Sequence, residues 1–407
     1  MFPVKKLGKE VEVKRKALFV GAAVTCFIGW AAAGPVIQDL AWDCVLPVYV
    51  IAGDLDGNGW DDIALACHSC DSVLVGLNPG NVQCPVTWPM PKVFELRDSP
   101  IALAWGLFGR GVGPYHKQVV VVTQYMPAWS SFKVSGSSAA VSRLHAVTVS
   151  HVAVGDFDRN GSLDVAILDP LGFKVLFPQG GGGPIDLAGL VQAGEPAFLV
   201  PADFDRDGDL DLVISSGTSL LFYENDGAGV FTLKLTKPVG LALRAIAVAD
   251  FDGDTDPDLA VVDPQFGALA ILENLGCWDF RITARIKMDQ GPVFVIPFDC
   301  DRDGDIDLAI AEFEGNTVLI AKNNGRGEFT VELLFQVGNN PIGLAVGDFD
   351  HNAIPDLVVA LYGGGPTGNG PAAQIIYNPC CVVDDCTDTA PCCDQPAPPP
   401  GCEQRYP

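Results

Sequence analysis

The chain has 407 residues, of which 48% are hydrophobic and 18% charged, enough for a sizeable core and too apolar for global disorder. Twenty-five Lys and Arg stand against 50 Asp and Glu, a net charge of −25, which excludes sequence-independent nucleic-acid binding because that needs clustered cations. Forty-five Gly and 31 Pro predict many turns and few long helices, and 13 Cys point to an oxidising compartment or a metal site.

The first element is a targeting segment. Lys5, Lys6, Lys9, Lys14, Arg15 and Lys16 precede an apolar run from Ala17 to Trp30, followed by Ala31-Ala32-Ala33-Gly34. Basic, apolar and small residues in that order read as a secretory signal over residues 1–33. The run is short for a spanning helix, which needs about 20 residues; an uncleaved anchor is the alternative. Cleavage would remove Cys26, leave 12 Cys and take the charge from −25 to −29. The predicted location is secreted or cell surface.

Next comes a strand signal, Val36-Ile37-Gln38-Asp39-Leu40-Ala41-Trp42, and then a repeat. Asp54-Leu55-Asp56-Gly57-Asn58-Gly59-Trp60-Asp61-Asp62 reads D-x-D-x-N-G-x-x-D. The same nine-residue pattern starts at Asp156, Asp203, Asp250, Asp299 and Asp348, at intervals of 47, 47, 49 and 49 residues. The first gap, 102 residues, is about two periods, so a degenerate copy is expected near residue 106. Ile101–Trp105 and Val119–Val122 supply its flanking strands, and no carboxylate lies between them. That makes seven units. In each, one apolar stretch leads into the loop and a second follows. A third comes after a Gly or polar turn, and a fourth, alternating stretch follows an Asn/Gly turn such as Asn225–Gly229 or Asn323–Gly327. Four short strands per unit of about 40–50 residues predict a propeller.

The expected architecture is all-β: a seven-bladed propeller of four-stranded blades over residues 34–378, with a Cys/Pro-rich tail over 379–407. The last unit has a third strand at Gln374–Tyr377 and no fourth. Pro47 lies seven residues before Asp54, as Pro196, Pro292 and Pro341 lie before Asp203, Asp299 and Asp348. This register makes the 36–42 strand the missing fourth strand of the last blade, closing the ring and removing free sheet edges.

The chemistry-bearing residues are loop carboxylates. A hard cation needs several oxygens in one small sphere. Side chains at positions 1, 3 and 5, the carbonyl at position 7 and the carboxylate at position 9 would supply them. The candidate ligands are Asp54, Asp56, Asn58, Trp60 and Asp62; Asp156, Asp158, Asn160, Ser162 and Asp164; Asp203, Asp205, Asp207, Asp209 and Asp211; Asp250, Asp252, Asp254, Asp256 and Asp258; Asp299, Asp301, Asp303, Asp305 and Asp307; and Asp348, Asp350, Asn352, Ile354 and Asp356. Gly at position 6 permits the sharp bend. Thr255 and Ala353 replace it in two loops, where Pro257 and Pro355 at position 8 are expected to compensate in part by favouring extended backbone. A single such loop is equally an Asx-turn without an ion; six in phase favour metal. The loops hold 25 of the 50 acidic residues. Up to six Ca²⁺ are expected, because flexible all-oxygen cages suit the larger ion better than Mg²⁺.

These loops resemble the FG-GAP/VCBS repeat family, the calcium-binding propeller repeats also found in integrin α chains, over nearly all of residues 36–378. The resemblance implies seven blades, calcium loops between first and second strands, and extracellular adhesion or ligand binding. The second unit departs from it: Gly106–Gly111 carries no ligand, so no metal is expected there.

Cys380, Cys381, Cys386, Cys392, Cys393 and Cys402 predict a disulfide cap in the tail, or intermolecular bridges. Cys67-His68-Ser69-Cys70 reads as structural disulfide material, with Cys44 or Cys84 as further partners. Cys300 occupies a non-ligand loop position. None of His68, His116, His145, His151 and His351 has a catalytic or zinc-spaced partner; His151 reads as strand packing. Trp105, Tyr125, Trp129 and Phe132 read as core or loop packing rather than a ligand contact. The leading expectation is a non-enzymatic extracellular binding module for a protein or glycan. The alternatives are a structural subunit linked into an assembly through the tail, and a polysaccharide-acting enzyme at the axial mouth. The latter would show perturbed carboxylates outside the six loops.

Overall fold

The computed structural model describes residues 35–80, 85–96, 98–108, 116–123, 128–132, 134, 139–143, 150–169, 172–177, 196–240, 242–288, 290–364 and 370–380. The predicted signal segment, Cys84, Tyr125, His145 and the tail beyond Cys380 lie outside them. Among the described residues no helix is long and apolar enough to cross a membrane.

Among the described residues the protein is an all-β propeller with six four-stranded blades. Sheet 1 comprises Pro47–Gly53, Asp62–Cys67, Ser72–Gly76 and Lys92–Glu95, and sheet 2 Pro100–Phe108, His116–Thr123, Ala128–Phe132 and Ala139–Arg143. Sheet 4 comprises Pro196–Ala202, Asp211–Ser216, Ser219–Asn225 and Phe231–Pro238. Sheet 5 is Ile246–Ala249, Asp258–Asp263, Ala268–Asn274 and Phe280–Lys287; sheet 6 is Pro292–Phe298, Asp307–Glu312, Thr317–Asn323 and Phe329–Gln336. Sheet 7 takes Pro341–Gly347, Asp356–Leu361 and Ala373–Tyr377 from the C-terminal end and Val36–Leu40 from the N-terminal end. Sheet 3 has three strands among the described residues, His151–Gly155, Asp164–Asp169 and Gly172–Leu176. The expectation of seven four-stranded blades is corrected accordingly: six are seen. Residues 178–195, where sheet 3 would find a fourth strand, fall outside the described set.

The closure strand is where the proline register puts it. Val36 to Leu40 pair antiparallel with Tyr377 to Ala373, the strand ending at Leu40 rather than Trp42. The prolines have a structural cause. In sheets 1, 2, 4, 6 and 7 the ladder between the first and second strands slips just after the opening proline, as between Pro47 and Tyr49. A bulge at a strand start tolerates a residue with no N–H to give. In sheet 2 the first strand runs on through Gly106, Leu107 and Phe108, so the expected degenerate loop at 106–111 starts later.

Burial follows strand position. Second strands such as Asp258–Asp263 are buried at every residue, because adjacent sheets cover both faces. Fourth strands such as Phe280–Lys287 alternate buried and exposed, as a half-solvated strand must. Cores lie between sheets. Phe204, Val213 and Phe222 of the fourth unit pack on Leu259, Val261 and Leu272 of the fifth. First strands meet in a ring and line an axial cavity of about 400 Å³. Tyr49, His151, Phe198 and Phe294 all lie five residues before a loop's first Asp, and their rings stack across the axis; His151 and Phe198 have centroids 3.8 Å apart.

Candidate metal loops on one rim

Each acidic loop joins the first and second strands of its sheet. Position 9 opens the second strand and pairs with the last residue of the first, as Asp211 pairs with Ala202. All six position-9 carboxylates are 0–2% exposed. Their burial has a partner list. One oxygen accepts the N–H of position 2: Leu55, Phe157, Phe204, Phe251, Cys300 or Phe349, at 2.9–3.2 Å. The other accepts the N–H of an Asn at the end of the third strand or one or two residues beyond it: Asn78, Asn225, Asn274, Asn323 or Asn378, at 2.7–2.9 Å. Asp164 is the exception; its Oδ1 is buried without a partner among the described residues. In sequence, Pro178 stands two after Leu176 where Asn225 stands two after Tyr223, and proline has no N–H.

The remaining side chains build a chain of Asx turns. Position 1 accepts N–H groups from positions 4 to 6, as Asp250 does from Gly253 and Thr255. Position 5 accepts the N–H of position 7, from Trp60 to Asn58 through Ile354 to Asn352. Two residues per loop have left-handed backbone. Position 6 does so at Gly59, Gly161, Gly208 and Gly304, and equally at Thr255 (φ 74°) and Ala353 (φ 65°). The expectation that Pro257 and Pro355 relieve the bend is corrected: the loop geometry dictates it and the side chains bear the strain. Position 4 is also left-handed in all six loops, at Gly57, Arg159, Arg206, Gly253, Arg302 and His351. Sequence reasoning missed this second bend.

The carboxylates converge. Oxygens of Asp54, Asp56 and Asp62 lie within 4.8 Å of one another. So do those of Asp156, Asp158 and Asp164; of Asp203, Asp205 and Asp211; and of Asp250, Asp252 and Asp254. Burial, with smaller contributions from neighbouring Asp charges, pushes Asp62, Asp164, Asp211 and Asp258 up to about 7, and Asp307 and Asp350 to about 6. Asp356 is raised well above the usual carboxylate range for the same reason. The Asp299 loop differs, because Lys322 places its ammonium 2.6 Å from Asp301. Glu224 and Glu273 hold the place of Lys322 in the corresponding strands, one residue before Asn225 and Asn274. A donor set of convergent carboxylates fits a hard divalent cation, and Asp164 adds a buried oxygen with no partner among the described residues.

The loops are tied to one another. The side-chain amides of Asn78, Asn225, Asn274 and Asn323 each cross to the preceding unit and donate to its position-2 carbonyl: Phe349, Phe157, Phe204 and Phe251, at 2.7–3.0 Å. At the last junction a disulfide takes this place. Cys300, at position 2, bonds to Cys380, two residues after Asn378, and the Asn378 amide nitrogen has no partner among the described residues. Cys380 therefore belongs to the propeller rather than to the tail cap. Among the described residues another disulfide joins Cys44 to Cys67, one of the pairings expected, and Cys70 is free. Cys300, Asp307 and Cys380 cluster, but with both sulfurs in the disulfide they offer no thiolate.

The fold and rim define a repeat propeller with acidic hairpin loops. Residues 184–261 and 299–359 match the FG-GAP-like repeat. The chain is a β-propeller that carries FG-GAP-like repeats over those two stretches. No curated protein sequence matches it significantly. Among solved structures, BBS1N in complex with ARL6DN superposes with a TM-score of 0.61 at 10% identity, over 86% of this chain and 98% of that one. The WD40 repeats of RRP9 give 0.60 at 11%, over 85% and 99%. A chain of the mitotic checkpoint complex gives 0.57 at 12%, over 90% and 98%. At these identities the likeness is one of fold.

Proposed function

We propose that the protein is an exported propeller, stabilised by calcium in its rim loops, that binds an extracellular protein through the face carrying those loops. The observation that carries this is the set of buried position-9 carboxylates with further Asp oxygens converging on them. Burial raises their proton affinity, with a smaller push from neighbouring Asp charges, and a bound Ca²⁺ would offset that cost of keeping them ionised. Asp54, Asp56 and Asp62 and their counterparts would hold it; Lys322 competes for Asp301 in the Asp299 loop. Export is supported by the two disulfides, since such bonds persist in oxidising compartments, and by the basic, apolar and small order of residues 1–33. The partially described sheet 3 counts in this reading as the seventh blade.

A protein partner is supported by the occurrence of this fold in complexes such as BBS1N with ARL6DN. A binding rather than catalytic role is supported by the charge distribution. Every carboxylate of raised pKa among the described residues lies in a loop, and the axial cavity is lined by apolar side chains and Tyr49. Thermal unfolding should lose several degrees on adding EGTA and regain them with millimolar Ca²⁺, as extracellular sites of about 10⁻⁴–10⁻³ M require. A melting temperature indifferent to chelator would sink the calcium reading. An array of extracellular proteins and glycans, probed with and without Ca²⁺, tests the partner; binding to glycans alone would replace the protein.

A further inference from the structure

Three consecutive loops are joined twice. The Asn225 amide ties the Asp203 unit to Phe157 of the Asp156 loop, and the Asn274 amide ties the Asp250 unit to Phe204 of the Asp203 loop. Each of these residues also donates its own N–H to its sheet's position-9 carboxylate, Asp211 or Asp258. The second tie is an arginine at left-handed position 4. Arg159 donates to the carbonyls of Asp207 (2.8 Å) and Gly208 (3.2 Å) in the next loop and pairs with the Asp209 carboxylate. Arg206 repeats this one loop on, donating to the Asp254 carbonyl (2.6 Å) and Thr255 Oγ1 and pairing with Asp256. Each guanidinium thus grips positions 5, 6 and 7 of its neighbour, the segment that presents the position-7 carbonyl. The Asp250 loop has Gly253 at position 4, so this relay ends there.

We propose that the loops at Asp156, Asp203 and Asp250 load divalent cation as one coupled unit, with Arg159 and Arg206 as positioning residues that pass order from each loop to the next. This rests on the cation reading above, which the buried Asp164 oxygen beside Asp156 and Asp158, without a partner among the described residues, supports independently of the loop pattern. The physical cause is shared ordering: a loop fixed by its cation fixes the arginine that frames the next, so the next loop has less freedom to lose. Coupling must be reciprocal between neighbours. The Asp54 loop is an internal control, because sheet 2 separates it from the Asp156 loop without a carboxylate loop between.

The test is a calcium titration of the full chain at about 0.15 M salt, where distant charges are screened, read by hydrogen exchange in peptides covering each loop. Two variants are compared with the wild type. Arg206→Lys keeps the charge and loses the planar fork. Asp203→Asn with Asp205→Asn disables the middle loop. In both, the midpoint for residues 250–258 should rise at least about fivefold, the low end of ordinary coupling. That for residues 54–62 should not move. In the double variant residues 156–164 should shift as well. Wild-type loops that all respond to calcium, with 250–258 unmoved in both variants, would overturn the coupling and leave the cation reading intact. A chain in which no loop responds would overturn both.

Discussion

At position 6, Ala353 shows how a loop's geometry overrides its side chain. A left-handed non-glycine residue costs roughly 1–2 kcal/mol, and glycine returns about 0.5–1 of that as lost chain entropy. Ala353→Gly should therefore raise unfolding free energy by about 0.5–1 kcal/mol in denaturant titrations. A loss would mean that the alanine methyl makes a contact worth more than the strain. His151 offers a pH test. It is 5% exposed, bonded through Nε2 to the Tyr49 hydroxyl at 3.1 Å, and burial lowers its pKa from 6.5 to about 3. The neutral form is therefore favoured by folding. Its contribution is complete above pH 6.5 and is lost as pH falls toward 3, at about 1.4 kcal/mol per unit. His151→Phe removes that term. Between pH 7 and 4.5 the wild type should lose about 2–3 kcal/mol more stability than the variant; equal losses would refute the burial argument. The loop carboxylates titrate alike in both proteins and cancel.

The repeated element is a hairpin whose loop is anchored from below. Position 2 fills an inter-sheet core: Phe157, Phe204, Phe251 and Phe349 are fully buried. Phe204→Ala should cost about 3–5 kcal/mol, as large core deletions do, and should lower hydrogen-exchange protection in the Asp203 loop before other loops change. The last junction exchanges an amide bond for a covalent one. Cys300–Cys380 closes an 80-residue span containing the last three strands of sheet 6 and the C-terminal strands of sheet 7. Chain-entropy arguments give about 4 kcal/mol for such a loop. Cys300→Ser with Cys380→Ser should lower the denaturant midpoint accordingly, and a variant as stable as the wild type would show that the Asn378 amide recovers the tie. The acidic pattern was legible in the sequence because a nine-residue spacing is local. The Asn residues were visible only as turn formers, since their partner carboxylates lie 14 to 22 residues earlier and their amides cross to another sheet.

At the scale of the whole molecule, one short strand makes the ring. Val36–Leu40 covers the edge of Ala373–Tyr377, and the Gln38 side chain bridges to the Val86 carbonyl and the Tyr377 hydroxyl. Deleting residues 36–40 would leave an unpaired edge on the largely apolar strand Ala373–Tyr377, a template for self-association. Light scattering after size exclusion should then show dimers or larger species where the intact chain is monodisperse. A monomeric deletion variant would mean that the ring closes by inter-sheet packing alone.

Repeat period, the four strands of six units, the degenerate second unit and the register of the closure strand were all set by local spacing, and the sequence alone was enough to read them. So were the chemical types in the loops, because a tight turn brings positions 1, 3 and 9 together whatever surrounds it. Tertiary structure decided what spans the junctions. Cys300 meets Cys380, Arg206 grips the loop after its own, and His151 is stacked between rings from other sheets, because closing a ring places the rims of successive units side by side. Residues 47 to 80 apart in the chain then become neighbours, and no local pattern records which side chains face each other there.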